Sequence, residues 1–147
     1  MLQKIKIGFI AALLFIAGFI REYSFESINK RLGALSNPTW QYDLSSFLSP
    51  LNQLEYSTLY KFKFILIFIF ALLFLGISLL LVQLVYRKKA YLKYVIIFFA
   101  GVFIISFALY AMGYLLGNVQ KGYALSRYLI EFIESPLATF FIIPALY

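Results

Sequence analysis

The chain has 147 residues, is 63% hydrophobic and only 13% charged, and contains 17 Phe and 12 Tyr, far above the roughly 45 to 50% apolar usage of soluble domains. This composition identifies an integral membrane protein. The absence of cysteine and histidine excludes disulfides, thiolate metal sites and Cys nucleophiles, and removes the commonest general base at neutral pH. The net charge of +7 is explained by membrane orientation signals rather than by nucleic acid, because no basic face lies outside the membrane flanks.

The first apolar run, "IGFIAALLFIAGFI" at residues 7–20, is preceded by Lys4 and Lys6 and followed by Arg21 and Glu22. Snorkelling of the two lysines extends it to a first transmembrane helix over about residues 2–20, close to the ~20 residues a span requires. A cleaved signal peptide is the rival reading. With no small-residue A-x-A site after the run, a retained anchor is expected.

Residues 21–60 are expected to be an external segment. "SFESINKRLGAL" places Phe25, Ile28, Leu32 and Leu35 at three- and four-residue spacing, which predicts an amphipathic helix continuing from, or bending off, the first span. Asn37 and Pro38 break it. A second short helix is expected near "SPLNQLEY", with Ser49 as N-cap and Pro50 at the first helical position. Trp40, Tyr42, Tyr56 and Tyr60 suit interface depth, so the segment is expected to lie along the outer leaflet as a cap.

Two uncharged runs follow, Phe64 to Val82 and Val95 to Leu116, which predict transmembrane helices over about 62–85 and 94–116. Arg87, Lys88, Lys89 and Lys93 lie in the connector between them, and the positive-inside rule makes that connector cytoplasmic. The lysines at the start of the chain agree with it. Lys61 and Lys63 read as topology anchors beside membrane lipids. A fourth span over about 123–147 then returns the C-terminus to the cytoplasmic face. The expected fold is an all-α membrane protein of four transmembrane helices in a single domain, with both termini cytoplasmic and an external amphipathic helical segment between helices 1 and 2.

The fourth span carries the most informative polar residues. Arg127, Glu131 and Glu134 are spaced i, i+4, i+7 and fall within about 60° of one another on a helix, with Ala124 and Ala138 on the same stripe. Each charge exposed to lipid near the midplane costs about 2.5 to 3.5 kcal/mol, so the stripe is expected to face protein or water. Glu134, about 16 Å below Tyr123, needs a partner or a proton. Arg21, Glu22, Glu26, Asn29, Lys30 and Arg31 after the first span offer partners, and an ionic network between the two segments is expected. It would serve as a structural staple, as a ligand- or partner-binding groove, or as a proton relay through Glu134. Ser135 and Pro136 predict a kink in this helix and Pro144 a second break, a feature that marks binding sites in some transporters. Gly113 and Gly117 form a GxxxG packing face in the third span. No nucleophile triad, metal-ligand cluster or phosphate-cradling loop is present, so no catalytic residue, metal or cofactor is assigned.

The closing "SPLATFFIIPALY" resembles the ending of the small membrane proteins of Bacteroidota described as exosortase F system-associated, through Arg127, Pro136, Leu137, Ile143, Pro144, Ala145 and Tyr147. "IREYSF" is similar to that family's charged element after the first helix. Arg127 lies about one turn further from Pro136 than in the family, and the Tyr-Asp-Pro signature of its external segment is missing. The resemblance implies a non-catalytic accessory or structural subunit of a larger inner-membrane complex connected with protein sorting or export. The alternative is a small transporter or lipid-handling protein with a polar path on helix 4.

Overall fold

A computed structural model describes residues 2–146. Among them the chain is helical, without a strand, and every long helix coincides with an apolar run. Helix α1 covers Leu2–Ser36, α2 Tyr56–Tyr86, α3 Lys89–Leu115, α4 Val119–Ile133 and α5 Pro136–Ala145, with a 3-10 helix at Ser46–Gln53. Three helices, α1, α2 and α3, are long and apolar enough to cross a membrane, and α4 with α5 makes a fourth if the bent pair is one span. These helices fit a membrane-embedded protein.

The 35 residues of α1 make a rod about 52 Å long, against ~30 Å of hydrocarbon. The first apolar run and the amphipathic stretch are therefore one uninterrupted helix. It stops at Ser36, where the Asn37 N–H still reaches the Gly33 carbonyl at 3.1 Å. Pro38 cannot extend it.

The chain divides into two compact units: Phe19–Phe70 forms one, and the described residues on either side form the other. In the first, the amphipathic face of α1 meets the start of α2. Ile28 and Leu32 are buried with Leu59, and Leu51, Leu54, Phe62 and Leu66 pack around them. Phe25 is buried too and meets Phe70 with ring centroids 5.9 Å apart. Leu35 falls off the end of this stripe and is exposed.

The 3-10 helix corrects the expected second cap helix. Its N-cap is Ser45, not Ser49, and Pro50 lies inside it rather than at its first position. Tertiary contacts set its start. The Asn52 side chain accepts from the Leu44 N–H at 2.7 Å and donates to the Leu44 carbonyl at 2.9 Å, imitating a strand partner. Leu44 and Leu48 are thereby held in buried positions.

In the second unit α5 lies lengthwise against α1 and α2. Phe15 meets Phe140 at 5.7 Å between centroids, and a Cβ built on Gly18 would stand 3.2 Å from the Pro136 ring. Further along, Thr139 bonds Ser78 and Ile143 accepts from the Tyr86 hydroxyl. So α5 runs antiparallel to α1 and parallel to α2. At the end of the same unit, Gln3 donates to the Leu84 carbonyl at 2.8 Å and accepts from Arg87. The start of α1, the basic connector and the end of α5 thus share one end of this unit. Gly18→Val is expected to lower stability by about 1–3 kcal/mol through overpacking against a rigid ring, read as a lower midpoint of thermal unfolding in detergent.

The expected single helix over 123–147 is instead two helices bent by 69°. Proline restricts its predecessor to extended backbone, and Ser135 adopts φ −130 and ψ 157. The sequence rule for a kink therefore produces a full break, with Pro136 opening a new helix. Pro144 does not repeat it: α5 continues through Pro144 to Ala145. Tyr147, the last residue of the closing motif, lies outside the described residues.

Candidate functional site

The polar residues of the second unit sit at helix contacts. Helices α3 and α4 form an antiparallel pair, and their closest approach is at Gly113 and Gly122. A Cβ on either glycine would lie 2.6 Å from the other's Cα, so only hydrogen fits between them. The expected Gly113–Gly117 packing pair is corrected accordingly. Gly113 packs against α4, whereas Gly117, at φ +70, closes α3. The Asn118 N–H reaches the Gly113 carbonyl at 2.8 Å and the Gly117 N–H the Tyr114 carbonyl at 3.3 Å, the bonding pattern of a Schellman cap. A left-handed position needs glycine here, which explains the second glycine without any helix contact.

Two buried hydroxyl pairs tie the helices. Ser78 donates to the Phe74 carbonyl at 2.6 Å, which leaves the Thr139 hydroxyl to donate to Ser78 at 2.5 Å. Ser106 donates to the Ser126 carbonyl at 2.9 Å and lies 2.8 Å from its hydroxyl. Neither pair was visible in the sequence. Serine and threonine in apolar helices can return their hydroxyl to their own helix, and their cross-helix partner depends on rotation about both axes. A double-mutant cycle between Ser78→Ala and Thr139→Val should give a coupling near 0.6 kcal/mol, the average for such bonds in membrane proteins.

The three residues of the expected charge stripe on the fourth span all precede the break at Ser135, but they differ in exposure. Arg127 Nε pairs with Glu131 Oε1 at 2.6 Å, with side chains 52% and 33% exposed. Glu134 caps the C-terminal end of α4 and is fully buried. Its N–H still reaches the Ile130 carbonyl at 3.0 Å, so the helical count extends to it, and it differs from Arg127 and Glu131 in being fully buried. Its neighbour Ser135 donates to the Phe132 carbonyl at 2.7 Å, satisfying a group that the break releases. A carboxylate in such a place is expensive unless it holds a proton or meets a positive group.

In the unit of Phe19–Phe70, Arg21 is buried, donates to Glu22 at 3.3 Å and stacks over Phe25. Glu26 pairs with Lys30 at 2.6 Å, one turn apart on the exposed side. Arg31 takes a partner that the helical spacing did not suggest. Its guanidinium donates to Asp43 Oδ1 at 2.8 Å, to the Tyr42 carbonyl at 2.8 Å and to the Asn52 carbonyl at 3.0 Å. One arginine thus fastens the loop after α1 and the 3-10 helix to the side of α1.

Among the described residues no group of three or more His, Asp or Glu side chains could hold a metal ion. The arrangement can tie helices and hold charges within apolar surroundings, and it defines an all-helical protein with long apolar helices and internal polar fasteners. No family model, no curated protein and no solved structure matches the chain.

Proposed function

We propose that the chain is a non-catalytic accessory or structural subunit of a larger bacterial inner-membrane complex, with both termini in the cytoplasm. The observation that supports this best is the use of its few polar side chains. Arg31, Asn52, Ser78, Thr139, Ser106 and Ser126 are all engaged in fastening one segment to another, as a scaffold requires. The link to protein sorting or export rests on the likeness of the closing segment to exosortase F system-associated proteins. The shared end of the second unit, with Lys4, Lys6, Arg87, Lys88, Lys89 and Lys93 near it in sequence, supports the cytoplasmic assignment through the positive-inside rule.

Purification from native membranes in mild detergent tests the reading. A larger membrane protein recovered in stoichiometric amount is expected, and recovery of this chain with only its own copies overturns the proposal. A second reading, a small transporter or lipid-handling protein, is favoured by one observation: the buried Glu134 beside a broken helix, a combination found at transporter sites. For that reading Glu134→Gln should abolish flux in proteoliposomes while the thermal unfolding midpoint stays within a few degrees. A subunit would show no flux before or after the change.

A further inference from the structure

The shared end of the second unit is positive and has no counter-charge from its own acids. Gln3 accepts from Arg87 and donates to the Leu84 carbonyl, and Lys4 and Lys6 follow Gln3 within one turn of α1. Lys88 and Lys89 come directly after Arg87, and Lys93 stands one turn further along α3. All six cations are exposed, and among the described residues none of the five lysines holds an ion pair. The unit has only two acidic side chains. Glu131 is taken by Arg127, while Glu134 is buried with the length of α5, about 15 Å, between it and this end. Arg87 closes α2 at φ 55, a left-handed position that glycine fills with least strain. What an arginine adds there is charge and reach. The apolar runs of α1 and α3 begin at Ile7 and Val95, so with those helices across the membrane the six cations stand at headgroup level. Tyr86 and Tyr91, packed edge to face with centroids 5.0 Å apart, suit the same depth.

We propose that this end is a binding surface for the headgroups of anionic phospholipids in the leaflet it borders. Charge complementarity singles out that occupant. Like charges within a Debye length of one another, about 8 Å at physiological salt, repel until an anion neutralises them. At headgroup level the anions within reach are lipid phosphates. A zwitterionic lipid brings its own cation with each phosphate, so only a headgroup of net negative charge relieves the repulsion. Each Lys or Arg near such a surface strengthens the attraction about five-fold. Lipid lies at this level in any membrane the chain enters, whereas an acidic protein segment must first displace it. The contact needs α1 and α3 to cross the membrane and needs no larger partner. A chain purified with only its own copies therefore overturns the function proposed above and leaves the lipid surface standing.

Intact-mass spectrometry of the full chain, released from micelles holding equal amounts of phosphatidylglycerol and phosphatidylcholine, tests the proposal. Bound phosphatidylglycerol should exceed bound phosphatidylcholine about ten-fold or more. Lys88→Gln with Lys89→Gln should cut that ratio about five-fold or more, while Lys88→Arg with Lys89→Arg should keep it within about two-fold. Lys61→Gln with Lys121→Gln removes the same charge from exposed positions elsewhere and should also leave the ratio within about two-fold. Three results overturn the proposal: equal binding of the two lipids, a ratio indifferent to Lys88 and Lys89, or the same loss from both glutamine pairs. Amine crosslinking in native membranes that joins Lys88 or Lys89 mainly to an acidic protein overturns it as well.

Discussion

Gly122→Ala is expected to be among the most damaging single changes in the chain. The added methyl would stand 2.6 Å from the Gly113 Cα and 2.8 Å from the Leu109 carbonyl oxygen. Both obstacles are backbone, so no side chain can turn aside and the helices must separate. Overpacking of this kind costs about 1–3 kcal/mol where side chains can adjust, occasionally more, and a backbone collision belongs at the upper end. Separation here also loosens the Ser106–Ser126 pair further along the same contact. The expected result is a fall of about 3 kcal/mol or more in stability, measured by reversible unfolding in mixed micelles. The reciprocal Gly113→Ala should behave alike, whereas Gly101→Ala should be nearly neutral or slightly stabilising, since a Cβ there meets nothing within 4 Å and alanine is the better helix former.

Arg31→Ala should have the second large effect, and a local one. The side chain is only 16% exposed and supplies three hydrogen bonds to Tyr42, Asp43 and Asn52. Bonds from charged donors contribute about 1.5–3 kcal/mol each, though they are not additive and the Asp43 partner is solvent-exposed. A net loss of about 2–4 kcal/mol is therefore expected in the opening of residues 37–53. Hydrogen exchange would show it as faster exchange at the Leu44 and Leu48 amides with α3 unchanged. Arg31→Lys should recover only part of this protection, because an ammonium lacks the planar fork that serves several acceptors at once. Unchanged exchange in Arg31→Ala would show that the cap is held by its apolar contacts alone.

The elements that were legible in the sequence are those governed by near neighbours. Apolar runs located α1, α2 and α3, and the spacing of Phe25, Ile28 and Leu32 marked a face that is indeed buried. Pro136 marked the discontinuity in the last helix, although the sequence pattern suggested a kink and the backbone makes a break of 69°. The charge stripe on the last helix was only partly legible. Arg127 and Glu131 pair as their spacing suggests, but spacing along one helix does not show that Glu134, at its C-cap, is fully buried by the packing around it.

By itself, then, the sequence determined an apolar, all-helical chain, the location of its long apolar helices, the discontinuity before Pro136 and the basic bias at one set of helix ends. Those properties follow from hydrophobic runs, proline and charge, all read within a few residues. Only the tertiary structure decided that Gly113 faces Gly122 while Gly117 closes a helix, that Arg31 fastens Asp43 and Asn52, and that Ser78 and Ser106 find hydroxyl partners. In an apolar helix almost any face can be buried. Which one is buried depends on where two backbones can approach and where a donor from one helix meets an acceptor from another, and neither is encoded in local periodicity.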